Sequence, residues 1–156
     1  MTENVAPVVP RTRIHEGDVL EPVQIPVTRE TLVRYAGAST DFNPIHWSDR
    51  AARAAGMDGV IAHGMWTMGA ALGVVVHWVA DPGRVVSQRA RFVRPVLVPD
   101  TDEGTQVIVS GRVTKADDQT ATLSLDVTHE GQTVLGRVEI VILSLIHISE
   151  PTRQEA

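Results

Sequence analysis

The sequence GMWTMGAALGVVVHWV, residues 64–79, decides the fold because it includes the longest apolar stretch of the chain. It contains no Asp, Glu, Lys or Arg, and Asp81-Pro82-Gly83 directly after it supplies residues that stop a helix. The run is shorter than the roughly 20 residues that a bilayer-spanning helix needs. It is typical of a buried core helix, and we predict that this helix begins at Gly64 and ends near Val79.

The remaining segments predict a sheet against which that helix packs. Downstream, four β-branched runs are bounded by turn residues, and Asp117-Asp118 and Glu130-Gly131 suit hairpin turns. Upstream, a strand precedes a helix capped by Thr28 and ending near Gly37, and Ser48 caps a second short helix. Helices followed by an antiparallel meander indicate the α+β class, with a curved antiparallel sheet around the apolar helix. The predicted strands are residues 23–27, 85–93, 106–114, 121–128 and 134–143.

Composition limits the classes of function. The 156 residues are enough for one domain, and the hydrophobic fraction of 43% is that of a globular protein. A formal net charge of -5 argues against nucleic-acid binding, which needs a basic surface. The absence of cysteine excludes disulfides, thiolate nucleophiles and thiolate metal sites. Since neither a signal-peptide pattern nor a membrane-spanning stretch is present, we predict a cytoplasmic protein that binds no membrane.

The chain divides into three segments. Residues 1–13 lack any periodic pattern, which predicts a flexible N-terminal arm. Residues 14–143 contain all the predicted helices and strands and form the domain. Residues 144–156 break the strand pattern and resemble translated sequencing-adapter DNA, with a plain disordered tail as the alternative. This tail is set apart from the functional argument.

Asp41, Asn43 and His46 lie within six positions of one another on a loop that Pro44 stiffens. Imidazole titrates near neutral pH, so an imidazole beside a carboxylate suits general acid–base catalysis. The Asn43 amide has both donors and acceptors, and we predict that it holds the other two groups. Because Asp and Asn before Pro are also ordinary turn residues, spacing alone leaves a purely structural role open.

His63 and Gly64 stand at the start of the apolar helix. Backbone N–H groups at a helix N-terminus can bind a developing oxyanion, and Gly64 has no side chain to block a thioester carbonyl. The alternative is that Gly64 only permits a tight junction between loop and helix. An acid–base pair together with such a site suits proton transfer next to a carbonyl. No histidine pair has the His-x-x-x-His spacing of a metal site, and we predict no metal and no cofactor.

Four residues are candidates for contact with a substrate. His63 adjoins the oxyanion position, and Met65 offers a soft apolar surface to an apolar ligand. Arg89 and Arg91 alternate along one strand, so they share a face and suit a phosphate group or an acidic protein. The alternatives are a place in the core for Met65 and a solvated strand face for the arginines.

These motifs resemble the MaoC-like dehydratases, a family that includes the (R)-specific enoyl-CoA hydratases. The similarity lies in YAGASTDFNPIH (35–46), IAHGM (61–65) and RFVRPV (91–96), and it extends over residues 14–143 in the right order. Within the family, the sequence is similar to the catalytic B-type subunit of mycobacterial (3R)-hydroxyacyl-acyl-carrier-protein dehydratase. Thr40 departs from the pattern, since many members have glycine before the aspartate. The resemblance implies a single hot-dog fold.

The resemblance also implies an activity in fatty-acid metabolism, which is hydration of trans-2-enoyl thioesters or dehydration of (3R)-hydroxyacyl thioesters. It implies that Asp41 and His46 transfer the protons, that Asn43 orients them and that the Gly64 N–H holds the thioester oxygen. The implied substrate is an acyl-CoA or an acyl-acyl-carrier-protein thioester. The implied partner is a second copy or a sister hot-dog subunit.

Two alternatives stay open at the level of sequence. A hot-dog thioesterase commonly carries a catalytic carboxylate on or near the central helix, and Met65–Val79 contains no Asp or Glu. A non-catalytic acyl-binding subunit of a dehydratase heterodimer lacks the Asp/His pair, which this chain has. Acyl length, thiol carrier, physiological direction and the choice between homodimer and heterodimer are also left open.

Overall fold

The computed structural model describes residue 11 and residues 13–144. The predicted arm and tail lie outside this part of the chain, apart from Arg11, Arg13 and Ser144. The helices are α1 (Arg29–Ser39), α2 (Asp49–Ala54) and α3 (Gly64–Val79), with 3-10 turns at Pro44–His46 and Pro82–Arg84. The strands are β1 (Val19–Val27), β2 (Val85–Phe92), β3 (Thr105–Ala116), β4 (Thr120–His129) and β5 (Gln132–Leu143).

The helices begin at the capping residues that the sequence predicts. Thr28 Oγ1 accepts from the Thr31 N–H and Thr31 Oγ1 accepts from the Thr28 N–H, both at 3.2 Å, so α1 has a reciprocal cap. Ser48 Oγ accepts a backbone N–H at the start of α2. The predicted bounds of α3 are confirmed. Helix α1 continues two residues past Gly37, because the left-handed residue that ends it is Thr40, at φ 60°.

The strands form one antiparallel sheet in the order β1-β3-β4-β5-β2. Strands β3, β4 and β5 make the predicted meander, and Glu130 and Gly131 join the last two with φ of 49° and 73°. Two positive φ angles are those of a two-residue type I′ hairpin turn. The prediction that β2 belongs to the meander is wrong, because β2 pairs with β5 at the far edge. The connection from β2 to β3, residues 93–104, is too long for a hairpin and buries Val96 and Val98.

Helix α3 packs against one face of the sheet and contacts β1, β2 and β3. Its buried residues recur every four positions, at Thr67, Ala71, Val75 and Val79, so they form one stripe along the helix. The predicted hot-dog arrangement, with one apolar helix against an antiparallel sheet, is therefore confirmed. The core of the sheet includes side chains with no exposed surface, among them Val107, Val109, Val127, Ile140 and Ile142.

The side of α3 that faces away from this stripe is not covered by the described residues. Gly69, Gly73 and His77 are exposed there, so α3 is buried on one side rather than all round. In the part of the chain that the structure describes, no helix is both long and apolar enough to cross a bilayer.

Candidate active site

The loop between α1 and α2 holds a carboxylate in place by short-range hydrogen bonds. Ser39 Oγ accepts from the Asp41 N–H at 3.2 Å, and Asp41 Oδ1 accepts from the Asn43 N–H at 3.2 Å. Asn43 Oδ1 accepts from the Ile45 N–H at 3.3 Å and caps the 3-10 turn. The loop therefore positions Asp41 relative to His46, the last residue of that turn.

His46 is buried, and its tautomer follows from its hydrogen bond. Nδ1 lies 2.8 Å from the Ile61 carbonyl oxygen. Because a carbonyl only accepts, Nδ1 carries the proton and the neutral ring presents a bare Nε2. That Nε2 lies 3.9 Å from Asp41 Oδ2. The separation exceeds a direct hydrogen bond and suits a small molecule that contacts both atoms.

His63, the residue before α3, lies against both of these groups and is only 1% exposed. Its ring stacks on His46, with centroids 3.8 Å apart and planes inclined by 23°. Its Nε2 lies 3.1 Å from the Asp41 carbonyl oxygen and must donate, so Nδ1 is the bare nitrogen. Nδ1 is buried and has no hydrogen-bond partner among the described residues. Burial, and secondarily the neighbouring His46, lower the pKa of His63, which favours its neutral form.

A cavity of about 280 Å³ lies beside the start of α3. N–H groups in the first turn have no partner inside a helix, and the residue before α3 offers no side-chain cap. The Phe92 ring covers Gly64, since a β carbon at Gly64 would lie 2.9 Å from Phe92 Cε1. The cavity walls combine His46, Gly64 and Thr67 with the apolar residues Ile61, Phe92, Val93, Val96 and Leu135.

An ion pair braces the segment that carries Ile61. Arg29 Nη2 donates to both oxygens of Asp49 at 3.0 Å, and Arg29 Nε donates to a backbone carbonyl at 2.7 Å. Asp49 Oδ1 also accepts from the Val60 N–H at 3.2 Å. The Arg29 hydrogen bond, followed by the bond from Val60, holds the pKa of Asp49 below its ordinary value of 3.8. The brace fixes the backbone one residue before the carbonyl that binds the His46 imidazole.

Replacing Asp49 by asparagine is expected to lower the free energy of unfolding by about 1 kcal/mol at neutral pH, because the ion pair is partly exposed. The folded pKa lies below the ordinary value of 3.8. The stabilisation is therefore complete above that value and is lost as pH falls through the folded pKa. Urea denaturation at neutral pH and at about pH 3 measures the difference. The control is Asp58→Asn, an exposed aspartate nearby. An equal loss at both pH values would contradict the role of the carboxylate charge.

Four predicted site residues meet where the loop joins α3: Asp41, His46, His63 and Gly64. Asn43 lies beside them but makes contacts that differ from the predicted ones. Its backbone N–H, rather than its side-chain amide, binds Asp41, and its side-chain oxygen caps the 3-10 turn. Within residues 13–144, no hydrogen bond joins the Asn43 side chain to Asp41 or His46, because the capping geometry directs that side chain elsewhere.

None of the four predicted substrate contacts, which are His63, Met65, Arg89 and Arg91, is among the residues that line the cavity. Met65 is 59% exposed, so it is part neither of the core nor of the cavity wall. Arg89 and Arg91 are exposed on the edge strand β2. Arg94, which follows β2, borders the cavity instead and donates to the Thr133 carbonyl at 3.2 Å. Binding of a phosphate by Arg89 and Arg91 stays a prediction.

Sequence reasoning missed the part of the cavity wall that is formed by the end of β2 and the residues directly after it. Phe92, Val93 and Val96 line the cavity. No periodic pattern identifies them, since they reach the site only because β2 pairs with β5 at the edge of the sheet. The available signal is the motif RFVRPV (91–96), which belongs to the family resemblance but is given no role by it.

The same cluster offers the kinds of atom that bind metal ions. Asp41, His46 and His63 each offer one ligand atom, and these atoms lie within 4.8 Å of one another. However, the two imidazoles are stacked with planes only 23° apart. The lone pairs of a ring nitrogen lie in the ring plane, so nearly parallel rings do not direct them to one ion. The donor set therefore fits proton transfer better than metal binding.

The comparisons with known proteins agree on one family. The sequence matches the family described as "MaoC like domain" over residues 11–130. The 3-hydroxyacyl-thioester dehydratase X of Mycobacterium tuberculosis is 40% identical over 75 residues, which are 48% of this chain and 26% of that protein. The mitochondrial 3-hydroxyacyl-(acyl-carrier-protein) dehydratase of Arabidopsis thaliana is 33% identical over 110 residues, which are 69% of this chain and 64% of that protein. The chain thus spans less than two thirds of either relative.

Solved structures agree with this assignment. One described as a MaoC-like dehydratase is 32% identical with a TM-score of 0.80, over 87% of this chain and 42% of that chain. The HadBC complex, described as a (3R)-hydroxyacyl-ACP dehydratase from Mycobacterium tuberculosis, has a chain that is 22% identical. Its TM-score is 0.63 over 85% of this chain and 96% of that one, and at this identity the likeness shows the fold alone.

Proposed function

Because this chain belongs to the MaoC-like domain family, we propose that it is a hydro-lyase acting on fatty-acyl thioesters. It adds water to a trans-2-enoyl thioester or removes water from the corresponding (3R)-hydroxyacyl thioester. The observation that carries the proposal is the Asp41–His46 pair, 3.9 Å apart, next to an apolar cavity that borders Gly64. The names of the relatives, dehydratases of 3-hydroxyacyl thioesters, support the substrate class.

In this proposal His46 carries the proton. Its Nδ1 is held by the Ile61 carbonyl, so the bare Nε2 faces the Asp41 carboxylate and both can hold one water molecule. During hydration, Nε2 takes a proton from the water as the water oxygen bonds to C3. The imidazolium then returns that proton to C2. Asp41 holds the water and stabilises the imidazolium charge, and such acid–base catalysis contributes about 10²–10⁴-fold.

The start of α3 has the second role. Attack at C3 places negative charge on the thioester oxygen, and the Gly64 N–H at the positive end of the helix is suited to bind it. Such a donor contributes roughly 10²–10³-fold. The apolar walls, which include Val93 and Leu135, suit the acyl chain and exclude bulk water. Dehydration runs through the same transfers in reverse.

The thioesterase alternative has less support. It needs a carboxylate that activates water against the thioester carbonyl, and the described α3 carries none from Gly64 to Val79. The acid of this site, Asp41, lies instead beside a stacked imidazole whose tautomer is fixed. This arrangement suits addition of water to a carbon–carbon double bond, because one imidazole can both take and return a proton.

The test is loss of the conjugated-enoyl absorbance when the purified protein is mixed with trans-2-enoyl-CoA thioesters of increasing acyl length. We expect turnover and a (3R)-3-hydroxyacyl product, identified by chiral chromatography after hydrolysis. Repeating the series with the same acyl groups on an acyl carrier protein compares the two thiol carriers. Thioester hydrolysis without hydration, followed by thiol release, would favour the thioesterase instead.

We also propose that the chain works as a pair with a second hot-dog domain, either a second copy or a sister subunit. Large apolar side chains are exposed around the site: Phe42, Trp47, Met65 and Phe92 are each more than half exposed. Strand β2 is an edge strand, which leaves backbone groups free to pair. The HadBC complex supports pairing with a sister subunit.

Light scattering after size-exclusion chromatography gives the mass of the purified chain, and we expect a dimer or activity that returns when a sister subunit is added. A fully active monomer would contradict the pairing.

The cytoplasmic location also remains a prediction.

A further inference from the structure

We infer that His63 is a positioning residue that fixes the distance and orientation between Asp41 and His46 by contacting both residues. The inference rests on the proposed function and deepens it, since the acid–base steps leave His63 unused. His63 touches His46 through its ring face and Asp41 through a hydrogen bond. It is not part of the described cavity wall, so it acts through its neighbours rather than on the substrate.

The first contact limits the tilt of the His46 ring. Among the described residues the His46 ring has one hydrogen bond, from Nδ1 to the Ile61 carbonyl, and a single bond leaves the ring free to rock about that bond. The His63 ring lies 3.8 Å away and nearly parallel, so it blocks such movement on one face. Tyr35 of α1 packs edge-on against His63, with ring centroids 4.9 Å apart, and supports it in turn.

The second contact anchors the backbone that carries the carboxylate. Thr40, directly before Asp41, has a φ of 60°, which is unfavourable for a β-branched residue. A strained backbone persists only where surrounding contacts hold it. The His63 Nε2–H donates to the Asp41 carbonyl oxygen at 3.1 Å and supplies such a contact from a residue 22 positions along the chain. The 3.9 Å separation of the acid–base pair thus depends on His63 at both ends.

The charge state of His63 suits this role. The titratable side chains that face it are Asp41, His46 and Tyr35. Burial lowers the pKa of His63 from its ordinary value of 6.5, which favours a neutral ring beside His46. A charged ring in this stack would repel the imidazolium that forms on His46 during the reaction.

Histidine is the smallest side chain that combines an aromatic ring with a hydrogen-bond donor. Phenylalanine has the flat ring but no donor, and glutamine has a donor at a similar reach but no ring. The buried Nδ1 lacks a partner in the described chain, and an unpaired buried nitrogen is destabilising. A residue that serves only for packing would not need the buried Nδ1. An imidazole that must both stack and donate through Nε2 carries Nδ1 as its second ring nitrogen.

The test separates the two contacts with two variants. His63→Phe keeps the ring and loses the donor, while His63→Gln keeps the donor and loses the ring. In hydration of a trans-2-enoyl-CoA we expect each to lower kcat by about 10²-fold, the cost of small misplacements of reacting groups, with little change in KM. His77→Gln replaces an exposed histidine of α3, is the control and is expected to keep wild-type kcat.

NMR spectroscopy supplies a measurement that does not depend on turnover. In His63→Phe we expect the Asp41 carbonyl ¹³C resonance to move, while the His46 ring protons keep an upfield ring-current shift from the stacked ring. In His63→Gln we expect the Asp41 carbonyl resonance to stay near its wild-type position and the upfield shift of the His46 ring protons to be lost. If the wild-type protein shows no hydration, either alone or with a sister subunit, the proposed function fails, and this crossed pattern still decides the role of His63. Unchanged Asp41 and His46 resonances in both variants, or kcat losses matched by the loss of folded protein, would overturn the inference.

Discussion

Replacing His46 by alanine is expected to reduce kcat for enoyl hydration by about 10²–10⁴-fold, since the group that takes and returns the proton is removed. The bare Nε2, presented because Nδ1 is bonded to the Ile61 carbonyl, has no substitute nearby with the same tautomer. His63 does not replace it, because its bare Nδ1 is buried. Stopped-flow absorbance at saturating substrate measures kcat, and circular dichroism checks that the variant folds.

Asp41→Asn is the partner of this experiment. Asparagine has the same size and keeps an acceptor oxygen, but it lacks the charge that stabilises an imidazolium 3.9 Å away. We expect a loss in kcat of the same order as for His46→Ala and a double variant little worse than either, because the two groups act as a unit. His77→Ala and Asp58→Asn replace exposed residues of the same types and serve as controls. Retention of at least a tenth of wild-type kcat in both single variants would mean that other residues transfer the protons.

Gly64→Ala is expected to reduce kcat by roughly 10²–10³-fold, the effect of losing one oxyanion donor. The added β carbon would lie 2.9 Å from the Phe92 ring, which is closer than carbon atoms normally approach. We expect the first turn of α3 to move to relieve this contact, so that the Gly64 N–H no longer faces the thioester oxygen. The same absorbance assay measures the loss.

The control for this variant lies on the same helix. Gly69 is exposed and an added β carbon there meets nothing within 4 Å, so Gly69→Ala is expected to keep kcat. It is also expected to raise the free energy of unfolding by up to about 1 kcal/mol, from helix propensity. Gly64→Ala combined with Phe92→Leu separates two causes. Recovery of kcat in the double variant would show that the Phe92 clash displaces the donor, whereas no recovery would mean that the added β carbon itself blocks the thioester oxygen.

Much of the local structure could be predicted from residues close together in sequence. Thr28 and Ser48 mark helix starts because each accepts a hydrogen bond from the N–H group three residues later. The bounds of α3 follow from its apolar run and the Asp81-Pro82-Gly83 stop. The pairing of β3 with β4 and of β4 with β5 follows from the short turns between them, because a short turn leaves neighbouring strands little choice of partner.

The position of β2 and of the cavity wall could not be predicted in the same way. A connection of twelve residues lets a strand reach either edge of a sheet, and its own alternation does not state which. The contacts of the Asn43 side chain could not be predicted either, because different groups compete for its oxygen. Its amide was predicted to hold Asp41 and His46, but the nearby Ile45 N–H uses its oxygen instead.

The sequence by itself determined the family, the α+β class and the three groups of the proposed chemistry, which are Asp41, His46 and the N-terminus of the helix at Gly64. These depend on motifs and hydrogen bonds that span a few residues. Only the tertiary structure decided the His46 tautomer, the stack of His63 on His46 and the cover of Phe92 over Gly64. Each of these joins residues 15 to 28 positions apart, where the chain is flexible in the unfolded state and only packing of the sheet against α3 brings the partners together.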